Sequence, residues 1–84
     1  MPRYFFDHHD NGKRLHDDEG IEFDTPDQVR LEAMRVLPAI AKDEVPKDGD
    51  RQAYTVIVKD EAGRPVYSAT LTFAGLWLEQ DENG

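Results

Sequence analysis

The chain has 84 residues, a net charge of −8 and no cysteine. That length makes one domain, with a thin core that buries roughly 60–65% of the surface exposed when unfolded. Without cysteine there are no disulfides, no thiol nucleophile and no thiolate zinc or iron–sulfur sites. The basic residues are scattered among acids, whereas gripping a phosphate backbone needs clustered Lys and Arg, so neither nucleic acid nor an anionic membrane is an expected partner.

The opening residues hold no apolar run of signal-peptide length, and no stretch approaches the ~20 apolar residues of a membrane span. A soluble, cytoplasmic protein is expected. Tyr4, Phe6 and His8 alternate with Arg3, Phe5, Asp7 and His9, which is strand periodicity. Asn11-Gly12 is a strong hairpin signal, because a type I′ turn needs positive φ at both central residues. A turn there sets Asp10 opposite Lys13, His9 opposite Arg14, His8 opposite Leu15 and Asp7 opposite His16. Tyr4, Phe6, His8 and Leu15 form the expected core face. Arg3, Phe5, Asp7, His9, Arg14 and His16 form the other, where Phe5 is unexplained.

Asp17-Asp18-Glu19-Gly20 reads as a turn, and Ile21 to Phe23 as a short extended piece. Thr25 then fits a helix N-cap, Pro26 the first helical position and Gln28 the far corner of a capping box. Val29, Ala33, Val36, Leu37, Ile40 and Ala41 recur at helical spacing and form one apolar stripe. Pro38 interrupts it, at about 3 kcal/mol inside a helix. The helix either kinks and continues to about residue 44 or splits near Leu37. The stripe keeps phase across Pro38, which favours one kinked helix ending before Pro46. Such a helix, about 28 Å long, matches strands of about 26 Å and can cover one sheet face.

Lys47 to Asp50 reads as a linker. Tyr54, Val56 and Val58 alternate with Thr55, Ile57 and Lys59, and Tyr67, Ala69, Leu71 and Phe73 alternate with Ser68, Thr70 and Thr72. Asp60-Glu61-Ala62-Gly63 suits a type I turn followed by a glycine bulge. That register alone would send Leu71 and Phe73 outward. A shift of one residue, by a four-residue loop or a bulge at Pro65, puts Val58 opposite Tyr67 and Val56 opposite Ala69, and the apolar pattern selects this register. Ile57 and Val66 then face out beside Phe5. Leu76-Trp77-Leu78 reads as a short helical turn. The expected architecture is α+β, ordered β-β-α-β-β: an antiparallel sheet with one kinked helix on one face, a domain over residues 1–78 and a disordered acidic tail over 79–84.

Little here points to chemistry. Asp7, His9 and His16 share a face of the first hairpin, and His with carboxylates suits borderline divalent metals, but their spacing matches no established ligand pattern. Paired carboxylates for acid–base work need a dry cleft, and the acids here lie among turn residues. Ser68 stands in a strand without a nucleophile elbow. No catalytic, cofactor-binding or metal residue is assigned, and no enzyme is expected. Phe5, Ile57 and Val66 on the uncovered sheet face, or an edge strand, point instead to association, as a homodimer or with another protein.

Pro2-Arg3-Tyr4-Phe5-Phe6, Asn11-Gly12, Asp18-Glu19-Gly20, Arg30 with Glu32-Ala33, and Asp60-Glu61 with Gly63-Arg64 together resemble a family of short bacterial proteins known only as a domain of unknown function. The likeness spans about residues 2 to 74. It implies a small stand-alone cytoplasmic protein and brings no activity or site residue. The element order is also similar to that of antitoxin-like regulators, an analogy of topology alone. The expected role is a non-enzymatic interaction or regulatory module. The alternatives are a weak metal-dependent or acid–base enzyme on the hairpin His/Asp cluster, and an antitoxin-like binder of a basic protein.

Overall fold

The computed structural model describes residues 2–10 and 12–78. Strand β1 spans Arg3–Asp10, β2 Lys13–Leu15 and β3 Ile21–Glu22; helix α1 spans Pro26–Asp48; β4 spans Arg51–Lys59 and β5 Pro65–Ala74. The expected β-β-α-β-β order holds, and the short extended piece before the helix pairs as β3. The sheet is antiparallel and open, ordered β2-β1-β4-β5, with β3 also on β1. Asn11 and the expected tail, residues 79–84, lie outside the described residues.

The helix begins where the capping box predicts. Thr25 Oγ1 accepts from the Gln28 N–H at 3.3 Å, and Gln28 Oε1 accepts from the N–H groups of Thr25 and Asp24. It runs unbroken past Pro38, which is exposed, as is Met34, whose carbonyl loses its helical donor to the proline. The freed acceptor and the ring therefore meet solvent, not core. The expected end before Pro46 is corrected: α1 continues to Asp48, and the Gly49 N–H closes the last turn on Val45 O at 3.1 Å. Only Gly49 and Asp50 link it to β4.

The buried core is Phe6, Val29, Ala33, Leu37, Tyr54, Val56 and Val58, with Tyr4, Phe23, Ile40, Ala41, Val45, Tyr67, Ala69 and Leu71 packed around it. This is the expected helix stripe laid on β4, the central strand. Val58 opposes Tyr67 and Val56 opposes Ala69, and the ladder shifts between Val58 and Lys59, whose partner is Pro65. The added residue is Val66, so the register that the apolar pattern selects is present and a bulge, not a four-residue loop, produces it. Gly63 supplies the positive φ (82°) that closes the preceding turn, where its N–H donates to Asp60 O at 2.9 Å.

Four expectations fail locally. Leu15 faces the helix side but is 69% exposed, because α1 does not reach over β2; Phe73, at the far end of β5, is 43% exposed. Residues 75–78 form no helical turn. Phe5 is half-buried rather than open: its ring packs on Gly20, where an added Cβ would lie 2.9 Å from Phe5 Cε2. No described helix is long and apolar enough to cross a membrane.

Candidate functional site

Two features lie outside ordinary core packing: a polar cluster on the hairpin and the edge of the sheet along β5, unpaired among the described residues. The cluster is built where β1 changes partner. β2 pairs with His8–Asp10 and β3 with Arg3–Tyr4 along the same edge, leaving a gap between them. The intervening loop fills it. Asp17 Oδ2 accepts the Phe6 N–H at 3.0 Å, replacing the missing ladder bond, while Asp17 Oδ1 accepts from Glu19 N and Gly20 N at 3.0 Å. Arg3 reaches across from the strand and donates to Glu19 O at 2.9 Å.

Asp7 lies under this loop, 2% exposed on the face the helix leaves bare. Asp7 Oδ1 accepts the Asp17 N–H at 2.9 Å; Lys59 Nζ is 3.1 Å from Oδ2; His16 Nδ1 is 3.2 Å from Oδ1 and 3.3 Å from Oδ2. Burial pushes the Asp7 carboxyl up, but the Asp17 N–H, the Lys59 ammonium and His16 outweigh it and hold the group below its ordinary value. Asp17 is likewise held low: burial raises it, and the N–H groups of Gly20, Phe6 and Glu19 more than offset that.

The structure thus brings Asp7 and His16 together as the hairpin register predicts. His9 shares their strand face, but among the described residues no three His, Asp or Glu side chains converge as a metal-ligating set. Both Asp7 oxygens already hold protein partners, and a cation on Oδ2 would have to displace Lys59. The cluster ties the loop down. Lys59 and Asp17 were invisible as partners in the sequence, since their approach depends on strand order and on the loop path.

A groove of about 590 Å³ lies between the hairpin and the second half of α1, lined by His8, Leu15, Ile40, Asp43 and Glu44 among others. It is open to solvent. At the same end of the helix, Tyr54 donates its hydroxyl to Asp48 Oδ2 at 3.0 Å, and burial followed by this bond pushes its pKa up to about 12.

The second feature is β5. It has ten residues, pairs among the described residues only with β4, and forms one border of the sheet. Residues 65–78 contain no Asp, Glu, Lys, Arg or His, although a third of the chain is charged. Exposed large apolar side chains gather here too: Val66, Phe73, Leu76, Trp77 and Leu78. The outer sheet face is less apolar than expected. Phe5 and Ile57 are half-buried, and Thr55 and Thr70 join hydroxyls across β4 and β5 at 2.9 Å.

A family model described as "Domain of unknown function (DUF6894)" matches residues 3–72, and the chain belongs to that family. No curated protein and no solved structure matches the chain.

Proposed function

Within a family described only as a domain of unknown function, we propose that this chain is a non-enzymatic interaction module that docks an extended segment of a partner protein along the edge of β5. One observation carries the reading. Sheet edges are normally blunted by charge, by proline, by short length or by cover, and β5 is ten residues long with a proline and a bulge only at its start. An exposed edge of this kind offers unpaired N–H and C=O groups to an added strand, with alternate side chains for specificity. The cysteine-free composition fits a role in the reducing cytoplasm. Chemistry at the hairpin has less support, because Asp7 is engaged by three groups of the chain itself. The net charge of −8 favours a basic partner on electrostatic grounds, which keeps an antitoxin-like role as the second reading.

The test compares capture of proteins from the native host by the parent, by Thr70→Lys on the edge strand, and by Ala53→Lys, an exposed position on the same sheet face one strand further in. Partners held by the parent and by Ala53→Lys but lost by Thr70→Lys support edge docking. Capture that survives Thr70→Lys and fails with Ala53→Lys overturns it.

A further inference from the structure

Resting on that reading, we infer that the strand docked on β5 is β5 of a second copy, antiparallel to the first and related by a two-fold axis at Thr70. Two molecules of charge −8 repel wherever their acids meet. Residues 65–78 form the longest stretch that brings no charge of either sign to the contact. A partner selected by charge would have no reason to prefer it, whereas a copy of this chain can approach there without facing its own acids.

The side-chain order of β5 also complements its own reverse. With Thr70 on the axis, Leu71 opposes Ala69, Thr72 opposes Ser68, Phe73 opposes Tyr67 and Ala74 opposes Val66. This centre is the middle of Val66–Ala74, the part of the strand after Pro65. Residues of one face meet residues of the same face, as antiparallel pairing requires. On the helix side, a large residue meets a small one and two aromatic rings meet each other. On the outer side, hydroxyl residues pair, another favourable cross-strand combination. Tyr67, Ala69 and Leu71 are half-buried at this border, and Phe73 is 43% exposed, so a second copy would finish covering the row. The two sheets would merge into one, with both helices on the same side. An isologous contact of this kind closes on itself and stops at two chains.

Because the chain has no cysteine, single cysteines in the full-length protein read the register directly. Thr70→Cys lies opposite itself, about 4.5–5.5 Å between Cα atoms, within disulfide reach. Ser68→Cys alone and Thr72→Cys alone lie about 13 Å from their own copies at ~3.3 Å per residue, out of reach. Mixing these last two should restore cross-linking. Light scattering supplies an independent readout: the parent should show twice the 9.6 kDa chain mass, Thr70→Lys one chain mass, and an equimolar mixture of Thr70→Lys with Thr70→Glu the doubled mass again. A parent of one chain mass overturns the inference, as does Ser68→Cys cross-linking as readily as Thr70→Cys. A monomeric parent whose partner capture still depends on Thr70 would refute self-pairing while leaving edge docking intact.

Discussion

Asp7 is a buried carboxylate on the sheet face opposite α1, and its surroundings explain how it remains charged. Three donors from three places in the sequence, the Asp17 N–H, His16 and Lys59, converge on two oxygens. Replacing a hydrogen-bonded buried charge usually costs about 1–3 kcal/mol, and Asp7→Asn should fall in that range by urea denaturation at pH 6. The sign with pH follows from the lowered folded pKa: the contribution is complete above the ordinary value of 3.8 and is lost as pH falls through the lower folded value. The gap between parent and Asp7→Asn should therefore close below pH 3.8. Gly20 is the other constrained residue. With φ at 74° and a Cβ position 2.8 Å from Arg3 Cγ and 3.0 Å from the Tyr4 carbonyl, Gly20→Ala combines backbone strain with a clash against a strand. We expect a loss of about 1–3 kcal/mol in the same assay.

At the scale of elements, the helix carries a sequence conflict resolved by orientation. Pro38 occupies the interior of α1, yet it faces solvent and the apolar stripe stays seated on β4. Pro38 is exposed, and Pro38→Ala restores a helical N–H, so it should raise stability by up to about 3 kcal/mol. Thr25→Ala, which breaks the capping box at the start of the helix, should lower it by about 1 kcal/mol. Thermal melts of the two variants should move in opposite directions. The β4–β5 hairpin shows similar logic: the Gly63 turn alone gives the wrong register, and the extra residue at Val66 corrects it so that Tyr67, Ala69 and Leu71 reach the helix.

For the whole molecule, charge and edge geometry act together. In the inferred pairing, like charge opposes contact between copies over most of the surface, and the uncharged border is the exception. The ionisable groups also bound the pH range of folding. Asp7, Asp17 and Asp60 are held below their ordinary 3.8, Asp60 chiefly by the Arg64 N–H, so their contribution is present above that pH and is lost on acidification. Tyr54 is raised from 10.0 to about 12, so its contribution is complete below pH 10.0 and is lost as pH climbs toward 12. Urea midpoints measured across pH should show a plateau between these limits, and Tyr54→Phe should flatten the alkaline side while leaving the acid side in place.

The chain order alone determined the element types, the helix start, the two hairpin registers and which face of β4 and β5 is apolar. Those properties are local: caps, turns and alternation act over a few residues, and a strand register admits only shifts that keep its apolar row on one side. It was tertiary structure that decided that β1 sits between β2 and β4, that α1 covers β4 and leaves Leu15 bare, that Asp17 and Lys59 close over Asp7, and that β5 is left as a border. Each of these depends on which strands become neighbours across long sequence separations, and no single stretch of the chain encodes that choice.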